Sequence, residues 1–386
     1  MDQMEAAFCS SDICTFAQIL ATISSANNCI GTLLLLDNEE EDLELISWMM
    51  QQLDVQHLIH MLWLLLGNQY PPPKQSVYLF PDFTSSDFPG RDVLAELLLR
   101  PWLLYNMTGE TIQSFMSIVE DLRPVIESVN MEGHPRQRTR RTLLSVENRI
   151  LIIFIWLWRY QTSSELSALF LVSPTVIERN ITLLTPLLRQ YFSNYVNWPS
   201  LEEWEGKVGQ WENFRECVGV IDGTLHEIYR PITDPQERYY SGHVKYHCFS
   251  TQIVADNTGN IVFVQCGFYG HQNDAGQWLH IVPPIGQGMP LPLPENSYLL
   301  ADKGYPNEEP LLTPWRRQRL VGHPSRTFFN TELSRHRESI EHTIKRFKEY
   351  KAIATLWRHP RGNAVQVMEL CAALAQRHIV LTRALR

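Results

Sequence analysis

The 386-residue sequence predicts an α/β fold in which a mixed sheet with flanking helices follows an all-α N-terminal region. Apolar residues keep helical spacing through much of the first 200 residues, whereas short β-rich runs begin at residue 217. Helical periodicity returns over residues 333–357. A chain of this length exceeds the usual single-domain size. The sequence therefore predicts a large C-terminal domain, residues 201–386, after two smaller helical regions.

The two helical regions differ in composition. Residues 1–66 are leucine-rich, and "YPPPKQSVYLFPDFTSSDFPG" (70–90) interrupts the helical pattern with prolines, serines and a glycine. We therefore interpret residues 1–90 as an acidic helical region that ends in a Pro-rich linker. Residues 91–200 return to helical spacing and form the second region.

Cysteine usage and hydropathy predict a soluble intracellular protein with no membrane partner. The seven cysteines are odd in number and lack a CxxC pair, which favours a reducing compartment over structural zinc. Asp2 and Glu5 stand where a signal peptide would be basic. The longest apolar runs, near residues 58–66 and 150–158, are shorter than the roughly 18 residues that a membrane span requires.

The net charge of −9 is unevenly distributed along the chain. The first 130 residues hold 18 of the 42 acidic residues but only four of the 33 basic ones, and "DNEEEDLE" (37–44) is the densest acidic run. Basic islands follow at "HPRQRTRR" (134–141), "WRRQR" (315–319) and "KRFKEYK" (345–351). This asymmetry allows a nucleic-acid partner despite the overall charge. A plain solvated face is the alternative for each island.

Residues 145–192 predict three consecutive helices. "TSSE" (162–165) is a capping-box pattern that opens the second helix, and "SP" (173–174) opens the third with an N-cap serine and a first-turn proline. The short link "LV" (171–172) makes the segment a helix-turn-helix candidate. Its third helix would meet DNA through Thr175, Glu178 and Arg179. Because Glu178 is unfavourable beside phosphates, a purely scaffolding helix pair is an equal alternative.

Two predicted strands each end in a carboxylate. "CVGVIDGT" (217–224) predicts a short strand that ends at Asp222, and residues 297–301 predict another that leads to Asp302. A charge at the mouth of a buried strand is costly unless a cation, hydrogen bonds or water compensate it. The plain alternative for Asp302 is a turn, because Lys and Gly follow it. Residues 244–270 predict a hairpin, and Asp256 is interpreted as part of its turn.

A third carboxylate, Glu341, lies in the predicted helix 333–357, beside its apolar face. Its alternative is a rim residue paired with Lys345. Two strand-end aspartates and a helical glutamate together suit two hard divalent cations, since Mg²⁺ prefers oxygen ligands. Two such ions about 3.5–4 Å apart can activate the attacking oxygen and stabilise the leaving oxygen in phosphodiester displacement.

At these residues the sequence resembles the PIF/Harbinger transposases and their derived nucleases, a branch of the DDE superfamily. Five motifs occur in the family's order: "VIDGT", "YYSGHVKYHCFSTQIV", "GHQNDA", "ADKGYP" and "SIEHTIKRFKEYKAI". The resemblance implies an RNase H-like nuclease domain whose catalytic, metal-binding triad is Asp222, Asp302 and Glu341. Asp274 also matches a recurrent family acid, and we interpret it as a helix cap or a neighbour of the ligands. Val220 excludes the rival phosphatase loop, because it stands at that loop's nucleophile position.

The resemblance implies an Mg²⁺-dependent DNA endonuclease and strand transferase, with Mn²⁺ as a substitute ion. Its substrate would be the double-stranded DNA of transposon ends, bound through Thr175, Arg179, Tyr240, His243, Lys245, Lys345 and Arg346. It also implies a separately encoded Myb-like DNA-binding partner, a homo-oligomer, and a nuclear location with a cytoplasmic pool. The alternative function is a domesticated, catalytically silent descendant that binds DNA or chromatin proteins.

Overall fold

A computed structural model describes residues 88–129, 133, 135, 142–281 and 293–384. The predicted acidic region and its linker fall almost entirely outside these residues, and so does most of the basic island 134–141. Residues Leu79–Arg386 form one compact unit, to which all the described residues belong.

In the described part of the chain, seven α-helices precede the sheet. They are α1 Val93–Leu98, α2 Pro101–Thr108, α3 Ile112–Ser128, α4 Val146–Arg159, α5 Ser163–Phe170, α6 Pro174–Phe192 and α7 Leu201–Glu205. Helix α4 is central, and its residues 150–157 are all buried. The sequence "ILIIFIWL" is apolar on every side, which a helix surrounded by protein requires. This apolar run is therefore a core helix.

Helices α4 to α6 occupy the segment where the sequence predicts three helices. Thr162 opens α5 with both hydrogen bonds of a capping box. Leu171 ends α5 in the left-handed conformation, at φ 53°. Ser173 is the N-cap of α6, and Pro174 is its first residue. The DNA-binding role of α5 and α6 remains a prediction.

The sheet has five strands: β1 Cys217–Glu227, β2 Cys248–Asp256, β3 Ile261–Tyr269, β4 Tyr298–Leu300 and β5 Leu311–Leu312. Their spatial order is β3-β2-β1-β4-β5. Strands β1, β2 and β3 pair antiparallel, whereas β1, β4 and β5 pair parallel. The prediction of a mixed sheet is confirmed.

The predicted hairpin is also confirmed, since β2 and β3 pair across a turn at Asp256. The Asp256 carboxylate accepts hydrogen bonds from the backbone N–H groups of Thr258 and Asn260, at 2.9 and 2.8 Å. It also pairs with Lys207 Nζ at 2.7 Å. Asp256 therefore stabilises the turn of the hairpin, as predicted.

Strand β1 corrects one expectation, because it does not end at Asp222. It continues to Glu227, paired with β2 throughout, whereas its pairing with β4 stops at Val220 opposite Leu300. Asp222 therefore lies in mid-strand, at the point where β1 loses its neighbour on one side.

Two apolar cores cover the faces of the sheet: Val220 belongs to one and Ile221 to the other. This alternation follows from the strand repeat, in which successive side chains point to opposite faces. The first core continues through the helical region and includes the central helix α4. The helices and the sheet thus share one core.

Further helices follow the first strand: α8 Gln236–Tyr239, α9 Asp274–Trp278, α10 Pro324–Phe347, α11 Lys351–Ala354 and α12 Ala364–Ala384. The range predicted for α10, residues 333–357, lies too far toward the C-terminus. The helix begins nine residues earlier, at Pro324, and ends ten residues earlier, at Phe347. Pro324 starts it, because proline suits the first helical turn. The segment Arg361–Arg383 is long and apolar enough to cross a membrane, yet 67% of its apolar window is buried in the protein. It packs against α6 and β3 as a core helix.

Candidate active site

The parallel pairing of β1 and β4 brings Asp222 and Asp302 together. Val220 is opposite Leu300 in the register, so the positions two residues later, Asp222 and Asp302, are neighbours. Side chains two residues apart point to the same side of a strand, and paired strands lie about 4.8 Å apart. Eighty residues of sequence thus separate two carboxylates that the sheet places side by side.

Asp302 lies in a turn and also keeps one carboxylate oxygen without a hydrogen bond from the described residues. Its Oδ1 accepts a hydrogen bond from the Gly304 backbone N–H at 2.6 Å, and its carbonyl accepts one from Tyr305 at 3.3 Å. These are the contacts of a turn. The second carboxylate oxygen, Oδ2, accepts no hydrogen bond from the described residues. The turn therefore orients the carboxylate and leaves one oxygen for another ligand.

Asp274 lies beside Asp302, so of its two interpretations the helix cap is wrong and the neighbour of Asp222 and Asp302 agrees with the structure. Asn273 caps α9, and Asp274 is the first helical residue. A methyl group built at Gly304 would lie 2.9 Å from Asp302 Oδ1 and 3.0 Å from Asp274 Oδ2. Asp302 Oδ1 and Asp274 Oδ2 therefore both lie about 3 Å from the position of that methyl group. The buried Gln252 amide orients Asp274 by donating to its Oδ1 at 3.1 Å.

The proximity of these carboxylates is visible in their electrostatics. Burial raises the pKa of Asp222, the Arg337 guanidinium opposes this, and the carboxylates of Asp302 and Asp274 raise it further. Burial also raises the pKa of Asp274, and Asp302 adds to the effect. The phenol pKa of the buried Tyr305 is raised well above its usual value by burial and by all three carboxylates. The cluster thus concentrates negative charge that a bound cation would offset.

Arg337 is the cation that faces this cluster, and sequence reasoning missed it. Its Nη2 lies 2.9 Å from Asp222 Oδ2, and both side chains are about four-fifths buried. The Nε of Arg337 is buried without a hydrogen-bond partner among the described residues. The signal in the sequence was its spacing: it precedes Glu341 by four residues, one helical turn.

Glu341 lies between two residues that contact β1. Arg337, one turn earlier, contacts Asp222, and Lys348, two turns later, donates a hydrogen bond to the Leu225 carbonyl. Glu341 is between them at helical spacing, and its side chain is exposed. It makes no hydrogen bond or ion pair with any described residue. Glu338, about one turn before Glu341 and the next candidate if Glu341 has no catalytic role, lines a cavity with Trp211 on another side of the helix.

The described ranges contain no group of three or more His, Cys, Asp or Glu side chains already arranged to hold a metal ion. The chemistry of the donors nevertheless fits a hard divalent cation, because Asp222, Asp274 and Asp302 offer only carboxylate oxygens. A methyl group at Gly223 would lie 2.6 Å from Asp274 Oδ1, so only glycine leaves room for that carboxylate. Two changes would complete such a site: Arg337 releases Asp222, and the exposed Glu341 turns inward.

Five predicted DNA contacts are exposed: Thr175, Arg179, Tyr240, His243 and Lys245. The last two stand on a turn closed by a 2.9 Å hydrogen bond from Ser241 N to Tyr246 O. Lys245 has the left-handed φ of 67°, which directs it out of the turn.

The two α10 candidates differ in position. Lys345 is exposed, one turn beyond Glu341. Arg346 is nine residues after Arg337, half a turn around the helix, and it acts electrostatically on Tyr105 of α2. Helix α10 thus directs Arg346 away from the carboxylates, and the expected contacts of Lys345 and Arg346 with backbone phosphate stay predictions.

Residues 221–376 match the family described as DDE superfamily endonuclease. The matched segment contains Asp222, Asp274, Asp302, Arg337 and Glu341, and it covers less than half of the chain. Neither the curated proteins nor the solved structures gave a match. The family match supports a DDE transposase-like nuclease domain, a DNA substrate and the divalent metals that such nucleases generally use. The mixed sheet with flanking helices is compatible with such a domain.

Proposed function

We propose that this protein is an Mg²⁺-dependent DNA endonuclease and strand transferase of the PIF/Harbinger type. The observation that carries the proposal is the parallel register that sets Asp222 beside Asp302, and Glu341 supports it by lying one helical turn after Arg337, which contacts Asp222. The strand order β3-β2-β1-β4-β5, with its antiparallel and parallel halves, supports an RNase H-like domain. Mn²⁺ would substitute for Mg²⁺, since both accept carboxylate oxygens.

The residues of the cluster would divide the work. Asp222 and Asp302 would be the main ligands of the divalent ions, and Asp302 would offer its Oδ2, which accepts no hydrogen bond from the described residues. Glu341 would complete the second position and orient the attacking oxygen. Bound divalent ions would supply charge stabilisation for the attacking and leaving oxygens. Asp274, held by Gln252, would keep the Asp302 turn in place or add a further oxygen.

The reaction would be an in-line displacement at phosphorus without a covalent enzyme intermediate. Water attacks phosphorus first and loses a proton to solvent, while the P–O3′ bond breaks and the leaving 3′-oxygen takes up a proton from solvent, which gives a 5′-phosphate and a free 3′-hydroxyl. That 3′-hydroxyl then attacks the phosphorus of a second phosphodiester and loses its proton to solvent. Its oxygen forms the new P–O bond, while the 3′-oxygen of the second phosphodiester departs. Glu341, the one exposed member of the triad, is accessible to orient both nucleophiles.

One observation favours the alternative, a catalytically silent DNA- or chromatin-binding protein. Arg337 pairs with Asp222 Oδ2, the oxygen that a cation would need. If this ion pair never opened, the cluster would be a structural element of a binding protein. The two functions differ in one measurable property, strand cleavage.

We also propose that a separately encoded Myb-like protein delivers this chain to transposon ends in the nucleus. The net charge of −9 and the exposed Glu178 on α6 support weak sequence-specific binding by the chain alone. The acidic segment "DNEEEDLE" would suit a basic partner, because electrostatic attraction would accelerate the encounter of the two proteins. A gel shift on terminal-repeat DNA with and without the Myb-like protein tests this. Nanomolar sequence-specific binding by the isolated chain contradicts it.

The decisive test of function is cleavage of supercoiled DNA that carries the element ends, with Mg²⁺, Mn²⁺ or Ca²⁺. We expect nicked product with 3′-hydroxyl termini in Mg²⁺ and Mn²⁺. The Myb-like protein is added in a parallel series, so that poor recruitment is not read as inactivity. DNA binding without cleavage in every series would support the silent alternative.

A further inference from the structure

Residues 313–331, which connect β5 to α10 and include the first eight residues of that helix, form a basic segment that we call the basic arm. The arm contains Arg316, Arg317, Arg319 and Arg326 and no acidic residue. In a chain with a net charge of −9, this run concentrates positive charge on one short surface element. None of its residues is among the expected DNA contacts.

Three arginines of the arm are available for a partner. Arg316, Arg317 and Arg319 are exposed, and their side chains form no ion pair or hydrogen bond within the described residues. Arg91, Arg123 and Arg189, in contrast, each pair with a glutamate, and Arg91 Nε lies 2.6 Å from Glu96 Oε1. Guanidinium groups that are close together in the sequence and unpaired within the described residues favour the binding of a polyanion.

The arm is rigidly attached to α10. Asn330 holds Trp315 at both backbone groups, accepting from its N–H at 2.8 Å and donating to its carbonyl at 2.9 Å. The Arg326 guanidinium lies 4.5 Å from the centre of the Trp315 ring and donates to the Arg319 carbonyl at 2.9 Å. A preorganised arm loses less conformational entropy when it binds a ligand than a free loop would.

The base of the arm is linked to the candidate active site. Thr313 Oγ1 donates to Asn307 Oδ1 at 3.0 Å, and Asn307 belongs to the loop that follows Asp302. At the other end, α10 runs from the arm to the carboxylates. Eleven residues separate Arg326 from Arg337, which corresponds to about 16 Å along a helix.

We propose that the basic arm binds the phosphate backbone of duplex DNA beside the cleavage site. If the duplex runs along α10, the distance of about 16 Å between Arg326 and Arg337 corresponds to about five base pairs at a rise of 3.4 Å per pair, so the contacts of the arm would lie about that far from the scissile phosphate. The arm contributes affinity independent of sequence, because phosphates carry no base information. Its position relative to cleavage rests on the proposed nuclease function, whereas its DNA binding does not.

The test measures the salt dependence of DNA binding. The full-length chain and the variant R316Q/R317Q/R319Q are titrated onto a fluorescent duplex in Ca²⁺, at salt concentrations from about 50 to 200 mM. Each lost phosphate contact lowers the slope of log K against log salt by about 0.9, so three contacts lower it by about 2.7. The control R91Q/R123Q/R189Q removes the same charge from arginines paired with glutamates. We expect its slope to stay near that of the wild type.

An unchanged slope in the arm variant, with thermal unfolding like that of the wild type, overturns the proposal. Tighter DNA binding by the variant also overturns it, since the arm would then cover an acidic segment of the protein. Phosphate-ethylation interference about five base pairs from the nick supports the stated position. Cleavage assays separate the two proposals. If the arm variant shows the expected lower slope but the wild type does not nick DNA, the nuclease proposal is wrong and the arm proposal stands. If the wild type nicks DNA but the slope of the arm variant is unchanged, only the arm proposal is wrong.

Discussion

Arg337 Nη2 lies 2.9 Å from Asp222 Oδ2, so the guanidinium is bound to the carboxylate that the sheet places beside Asp302. In the metal-free protein this contact offsets part of the repulsion among the clustered acids. A divalent cation that uses the same oxygen must displace it. Arg337 therefore couples the stability of the metal-free state to the affinity for metal.

We expect Arg337→Met to destabilise the metal-free protein and to tighten Ca²⁺ or Mn²⁺ binding. A hydrogen bond to a charged group contributes about 1.5–3 kcal/mol, and cation binding would no longer break it. That free energy corresponds to tenfold or more in affinity, at about 1.4 kcal/mol per factor of ten. Isothermal titration and thermal unfolding with and without Ca²⁺ measure the two effects. Arg335→Met, whose side chain is 74% exposed, is the control; weaker metal binding by Arg337→Met would contradict the coupling.

Asp302→Asn should abolish nicking in Mg²⁺ and Mn²⁺ while the fold is retained. The asparagine oxygen can still accept the Gly304 hydrogen bond, so the turn survives. Without metal, the melting temperature should stay the same or rise because one of the clustered charges is gone. Thermal unfolding in chelator and plasmid nicking check the two statements. Undiminished cleavage would remove Asp302 from the site.

Glu341→Gln should lose at least about a hundredfold in cleavage rate, whereas Glu341→Asp should keep more activity. Aspartate keeps a shortened carboxylate for the cation, while glutamine has no charge. The matched control is Glu338→Gln on the same helix, which should cleave normally because Glu338 lines a different cavity. If Glu341→Gln keeps full activity and Glu338→Gln loses it, the roles of the two glutamates are exchanged.

Gly223→Ala tests whether Asp274 belongs to the cluster. The added methyl group would lie 2.6 Å from Asp274 Oδ1 and 2.9 Å from Gln252 Nε2, so the carboxylate must move. We expect a stability loss of about 1–3 kcal/mol and weaker Ca²⁺ binding by titration. The control is Gly242→Ala, because no atom lies within 4 Å of its added methyl group. Unchanged Ca²⁺ binding in Gly223→Ala would exclude Asp274 from the site.

Glu110 should make the protein sensitive to acid. Burial alone would raise its pKa, but His378, Arg377 and Ser114 outweigh burial and lower it below the usual 4.5. Its contribution to stability is therefore complete above pH 4.5 and is lost as pH falls through the lowered pKa. Glu110→Gln leaves a buried arginine unpaired and should cost about 3–5 kcal/mol at neutral pH.

Urea unfolding at several pH values measures this effect. The difference between wild type and Glu110→Gln should shrink as the pH falls below 4.5. The exposed Glu308→Gln is the control and should change little. A difference that grows in acid would mean that Glu110 is protonated in the native protein.

The sequence by itself determined the features that depend on near neighbours in the chain. The capping box at Thr162 and the turn at Asp256 each follow from a few adjacent side chains, and the structure confirms both. The identities of Asp222, Asp302 and Glu341 as candidates also came from short motifs. Local patterns suffice there because turns, caps and helical faces are formed by residues close in sequence.

Only the tertiary structure decided which of these groups meet. The pairing of β1 with β4 sets Asp222 beside Asp302, and it also lets β1 continue past Asp222. Helix packing brings Arg337 to Asp222, while helical rotation turns Arg346 away. Such contacts depend on strand order and on the angle of a packed helix. Both are set by burying apolar surface across the whole domain, a long-range requirement that no short motif contains.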